Sequence, residues 1–191
     1  PNDPKHFLYV WFDALINYIS AVDYPKENFK KFWPADVHVI GTDISWFHCV
    51  IWPCMLFSAG IEPPKSVFIH GFIKLPSGKM SKSKGNVVDP LDLSQRFGSD
   101  SVRYFLLRDI PFGEDGIFEE RLIVERHNSE LANELGNLLN RVLVLIEKNC
   151  NGEIPEATTD SVLAVKLNLK KIQTNMERFE THLALAEIMN F

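Results

Sequence analysis

Four lysines, Lys74, Lys79, Lys82 and Lys84, fall within eleven residues, and Gly78 and Gly85 bracket the core of the run. An ammonium on a long stem is a compact, mobile charge with three donors. Several of them on one glycine-flanked loop suit a polyphosphate that must be gripped and then released. A solvated lysine-rich turn has the same composition. Order adds to composition here: Lys79-Met80-Ser81-Lys82-Ser83 sets two hydroxyls among the charges, and Gly85 supplies a hinge.

Bulk properties bound what else the chain can be. Its 191 residues make one domain, or one domain and part of another. Hydrophobic residues at 46% and aromatics at 12% are enough for a real core. No apolar run reaches membrane-spanning length and no signal peptide is evident, so a cytoplasmic protein with no membrane partner is expected. A net charge of −5 gives no sign of nucleic-acid binding, which must therefore rest on particular residues. Cys49, Cys54 and Cys150 make no Cys-x-x-Cys pair and are expected to be free, mostly buried thiols in a reducing compartment. The chain opens on Pro1 and closes inside an amphipathic pattern, which reads as a piece of a larger protein.

The elements that position the lysines alternate. Phe7 to Phe12 reads as a buried strand, and Asp13 to Ile19 continues at helical spacing. Val37 to Gly41 is a second strand, with Thr42-Asp43 as the N-cap signal of a helix from about Ile44 to Ser58, kinked at Pro53 and stopped at Gly60. Ser66 to His70 and Phe72 to Leu75 are further strands. Strand, helix, strand is the grammar of a parallel sheet, whose ligands sit at the carboxyl ends of the strands, where Trp11-Phe12, Gly41, His70 and Gly71 fall. Short helices follow at Leu91 to Phe97 and from Asp100 to Arg108, then a linker at 111–116. Leu131, Leu135, Leu138, Val142 and Leu145 mark a helix from about Glu119 to Asn149. Val165, Leu169, Ile172, Met176, Phe179 and Leu183 mark a second long one, and both stripes need further partners.

Lys79-Met80-Ser81-Lys82-Ser83 is the signature loop of class I aminoacyl-tRNA synthetases, and its surroundings resemble the methionyl-tRNA synthetase family. The resemblance is carried by Tyr9 to Ala14, by Gly41-Thr42-Asp43 with Phe47-His48 and Trp52-Pro53, by Phe68 to Gly71, and by Leu135 to Arg141. It implies an α/β then all-α chain: the second half of a Rossmann-like parallel sheet (1–88), a helical stem-contact region (89–118) and the start of an incomplete antiparallel helix bundle that binds the anticodon (119–191). It implies a methionine-tRNA ligase in which methionine and ATP, with Mg2+, give methionyl-adenylate, and the methionyl group then passes to tRNA(Met).

The roles follow residue by residue. Lys79 and Lys82 would neutralise charge on the departing pyrophosphate. Gly41, Asp43, His70, Gly71, Lys82 and the main chain of Phe72 and Ile73 would hold ATP, although Asp43 also reads as a helix cap and His70 as a core histidine. Trp11, Ala14, Tyr18, Ile44, Phe47, His48 and Trp52 would line the methionine pocket, or be ordinary core; a thioether is well matched to such rings. Asn137 and Arg141, four apart on one helix face, would read anticodon bases, with Glu130 and Glu134 repelling phosphate nearby.

The family's His-x-Gly-His signature is absent from this chain, as is its zinc-binding insertion, so the missing N-terminal half is an expected partner and the chain alone is expected to be inactive. A stand-alone tRNA-binding or assembly module, and a different class I synthetase, are the competing readings.

Overall fold

The computed structural model describes residues 3–78, 80, 85–156 and 167–191. The chain forms two compact units, residues 1–71 and 72–191. This division follows packing. The division expected at 88 and 118 follows functional segments, and it remains a proposal.

The first unit starts with a departure from the expected strand. Residues 6–9 are irregular and Phe7 is 94% exposed, while helix α1 runs Val10–Ser20 and buries Leu15 and Ile19. An unbroken apolar run satisfies strand and helix patterns alike, and here helical spacing from Trp11 to Ile19 decides. Helix α2 (Glu27–Phe32) leads to strand β1 (His38–Gly41). The segment expected as one helix is wound in three ways: a 3-10 turn at Thr42–Ile44, π winding at Phe47–Ile51, and helix α3 at Trp52–Ser58. Asp43 is not its cap. It lies inside the 3-10 turn, whose N-cap is Gly41 with no side-chain bond. Pro53, which has no N–H to donate, stands second in α3, directly after the π winding. Strand β2 (Val67–His70) pairs parallel to β1, His38 with Val67 through Gly41 with His70. Leu15, Ile19, Trp33, Trp52, Leu56 and Ile61 form the core of this unit.

In the second unit strand β3 is only Ile73–Lys74, and its partner β4, Gly116–Ile117, starts at the last residue of the stretch expected to be a linker. Helices α4 (Pro90–Phe97) and α5 (Ser99–Arg108) fall where expected. Asp89 caps α4 by accepting the amide of Leu91 at 2.8 Å, and Gly98 separates the two at φ 83°. Helix α6 (Glu120–Arg126), π winding at His127–Gly136, and helix α7 (Asn137–Cys150) make the expected long helix, ended by Asn151 in the left-handed region. The second long helix is two: α8 (Leu169–Glu177) and α9 (Thr181–Met189), broken where Phe179 takes φ 61°. Val165 lies outside the described residues. Leu93, Val102, Phe105, Phe118 and Ile123 form this unit's core. The thiols are not buried: Cys49 and Cys54 are exposed and Cys150 is half-buried. No helix among the described residues is long and apolar enough to cross a membrane.

Candidate substrate site and recognition helix

In the first unit the aromatic residues converge on His48, which is 1% exposed. Its Nδ1 lies 2.9 Å from the Ile44 carbonyl, which can only accept, so that nitrogen carries the proton. Its Nε2 therefore accepts from the Tyr18 hydroxyl at 2.8 Å. Trp11 stacks on Phe47 at 4.5 Å with planes 10° apart and meets His48 edge-on at 6.1 Å. Trp52, 1% exposed, lies 6.0 Å from Tyr18. The π winding at Phe47–Ile51 places Phe47 and His48, and α1 supplies Trp11, Ala14 and Tyr18 from one face. All seven expected pocket residues are thus on α1 or on the winding that follows β1. Ile44 contributes its carbonyl. The Ala14 carbonyl accepts from Asn17.

His38 was missed. It is 6% exposed, stacks on Tyr18 at 4.3 Å, and its Nε2 accepts from the Trp52 indole at 3.2 Å. Burial and the neighbouring His48 hold its pKa below the ordinary imidazole range, so it is neutral at pH 7. A polar residue on the inward side of a strand was the available signal. Behind these residues an apolar cavity of about 730 Å³ opens between α1 and α3, lined by Phe12, Ile16, Tyr24 and Met55 among others.

The carboxyl ends of β1 and β2 bring Gly41, Asp43, His70 and Gly71 together. A Cβ on Gly41 would stand 3.1 Å from Asp43 Oδ1 and 3.9 Å from His70 Cε1. The Thr42 hydroxyl ties the two strand ends by donating to the His70 carbonyl at 2.9 Å. Asp43 and His70 are exposed.

In the second unit the Phe72 amide donates to Asp115 Oδ1 at 2.7 Å, its carbonyl accepts from Gly116, and Ile73 pairs with Gly116 in the ladder. Lys74, one of the four lysines, is paired with Asp115, and that bond together with the Phe72 amide holds the Asp115 carboxyl below the usual carboxylate range. Lys79, Ser81, Lys82, Ser83 and Lys84 lie outside the described residues. Met80 packs on the core of Leu93, Val102 and Phe105, so one residue of the signature is anchored. Among the described residues no group of three or more His, Cys, Asp or Glu could hold a metal ion.

Asn137 and Arg141 are exposed on α7. Glu130 is not beside them as a free charge. It is 7% exposed and bonded to Tyr104, Arg108 and Arg126, so it cannot repel phosphate as expected; Glu134 is exposed.

The family model for tRNA synthetases class I (M) matches residues 1–143, and the chain belongs to that family of class I aminoacyl-tRNA synthetases. Its similar relatives are methionine-tRNA ligases. That of Caldanaerobacter subterraneus is 50% identical over 98% of this chain and 31% of its own length; one from Bacillus anthracis is 51% identical over 98% and 30%. A crystal structure of the Mycobacterium tuberculosis methionyl-tRNA synthetase bound by methionyl-adenylate superposes with a TM-score of 0.87 at 45% identity, covering 99% of this chain and 39% of that one. The chain thus spans about a third of the relatives it matches.

Proposed function

We propose that this chain is the substrate-selecting and tRNA-reading part of a cytoplasmic methionine-tRNA ligase. The whole enzyme joins methionine to ATP, with Mg2+ on the phosphates, releases pyrophosphate, and passes the methionyl group to tRNA(Met). In this reading β1 and β2 belong to the second half of a Rossmann-like sheet, α4 and α5 to the stem-contact region, and α6 to α9 to an incomplete anticodon-binding bundle.

The observation that carries the reading is the uncharged cage around His48. Its rings and its one committed hydroxyl suit an uncharged, polarisable thioether and offer no counter-charge to a charged side chain. Gly41, Asp43, His70 and Gly71 form the nucleotide edge, with Phe72 and Ile73 following in sequence. Lys79 and Lys82 stabilise the charge that grows on pyrophosphate, a positioning and electrostatic task rather than covalent work. Asn137 and Arg141 offer an amide to a base edge and a guanidinium that also stacks.

The test uses the full-length enzyme. ATP–pyrophosphate exchange should depend on methionine and be far weaker with leucine, isoleucine, valine or cysteine; a better rate with any of these overturns the methionine assignment. Arg141→Ala and Asn137→Ala should depress tRNA charging and leave exchange unchanged, both assayed at one fixed salt concentration.

A further inference from the structure

The helix that carries Asn137 and Arg141 is not uniformly wound. Ten residues, His127–Gly136, are in π winding, and the Asn137 amide, shared with the Glu134 carbonyl, still reaches back five residues to the Ala132 carbonyl. Such winding is rare beyond a single turn. Something outside the segment has to hold it.

Two features do so. Glu130 sits in the middle of the segment, and its carboxylate accepts from the Tyr104 hydroxyl, from Arg108 Nε at 3.1 Å and from Arg126 Nη1 at 2.5 Å. Arg126 Nε in turn donates to Asp109 Oδ1 at 2.8 Å. Tyr104 and Arg108 belong to α5, so the clamp ties the segment to a neighbouring helix, and His127 adds a second strap through Ser101 Oγ at 2.9 Å. Burial pushes the Glu130 carboxyl up, but Tyr104 and the two guanidiniums outweigh it and hold it below the usual range. Burial, and then Glu130, push the Tyr104 phenol up to about 12. The clamp is therefore charged at neutral pH. At the far end, a Cβ on Gly136 would stand 3.1 Å from the Leu131 carbonyl oxygen, five residues back. An alanine there would ask that carbonyl to give by a few tenths of an ångström.

A residue turns through a smaller angle in π winding than in an α-helix, so ten such residues change the direction in which everything after them faces. We propose that Glu130 is a positioning residue for tRNA recognition: it holds 127–136 in π winding and so sets the face on which α7 presents Asn137 and Arg141. It touches neither of them. The proposal rests on the tRNA-reading role of those two residues.

The experiment uses the full-length enzyme with Glu130→Gln, which keeps the shape and removes the charge. Its crystal structure should show the Asn137 amide bonded four residues back rather than five. Its kcat/KM for tRNA charging should fall about tenfold, the size of one lost hydrogen-bond contact, while methionine-dependent exchange stays within about twofold. Gly136→Ala should give the same split without altering any charge, and stands in if Glu130→Gln does not fold. Parallel loss of charging and exchange would mean a merely structural role and overturn the proposal. So would intact π winding in both variants, or relaxed winding with unchanged charging. If Asn137→Ala and Arg141→Ala leave charging untouched, the tRNA-reading role itself fails, while the winding in Glu130→Gln still decides whether the clamp holds the segment.

Discussion

In the first unit His48 is held by two neutral hydrogen bonds and by ring contacts with Trp11, Tyr18 and His38. In the second, Glu130 is held by two guanidiniums and a phenol. Both groups lie within π windings, and both are almost wholly buried. In the proposed reading the chemistry differs with the task. A cage for an uncharged side chain is weakened by any fixed charge left unpaired inside it. A strut between helices has no ligand to accommodate, so it can use charges, provided every one of them is paired. The first kind of site responds to acid through the buried His38 imidazole, and the second to the removal of one partner.

The strongest way to break the contrast is to empty the cage. Trp52→Ala removes a fully buried ring and should destabilise the first unit by about 3–5 kcal/mol. Near-ultraviolet dichroism and helical content should then separate in a denaturant titration, with α6 and α7 melting as before; one shared transition would show that the units do not unfold independently.

Lys82→Ala tests charge acting on chemistry rather than on structure. Exchange in the full-length enzyme should slow by an amount worth roughly 3 kcal/mol, with methionine binding little changed. Equal exchange rates would remove Lys82 from the reaction.

Acid should sharpen the contrast. The His38 pKa is lowered in the folded state, so below about pH 6.5 the unfolded chain takes up a proton that the folded unit refuses, and stability falls from there downward. The Glu130 carboxyl is also lowered, so its contribution is complete above about pH 4.3 and is lost only below that. The first unit should therefore unfold first on acidification. His38→Gln, which keeps an acceptor for the Trp52 indole, should flatten the limb that starts near pH 6.5; an unaltered limb would assign it to another group.

The smallest effect belongs to exposed ion pairs. Arg121→Ala breaks contacts with Glu119 and Glu125, all on the surface, and should shift stability by less than about 1 kcal/mol, vanishing in high salt.

Much of this architecture was legible in the sequence, for identifiable reasons. Asp89-Pro90, Gly98 and Asn151-Gly152 are punctuation whose chemistry is local, and helices start and stop there. The partner of Ile73–Lys74 was not legible, because two residues carry no period and the pairing spans 43 residues. Nor was π winding, since leucines three and four apart do not separate a bond reaching back four residues from one reaching back five. Phe179 broke a good helical stripe by adopting a left-handed conformation that its residue type rarely takes. The aromatic cage was found through residue identity in a recognised pattern. His38 stayed hidden because Tyr18 and Trp52 are distant from it in sequence, and Glu130 was misread as a free charge because, although Arg126 stands four residues away, Tyr104 and Arg108 are distant too.

The hydroxyl of Thr181 donates to the carbonyl of Leu107, 74 residues earlier, and Ala184 of the same helix is buried where α9 packs on α5 and α8. Translation at about 5–20 residues per second puts on the order of 4–15 s between the synthesis of those two residues. For that interval α5 leaves the ribosome without the helix that covers it. The second unit is therefore a late assembler, and the face of α5 that α9 covers stays open for seconds before α9 can close over it.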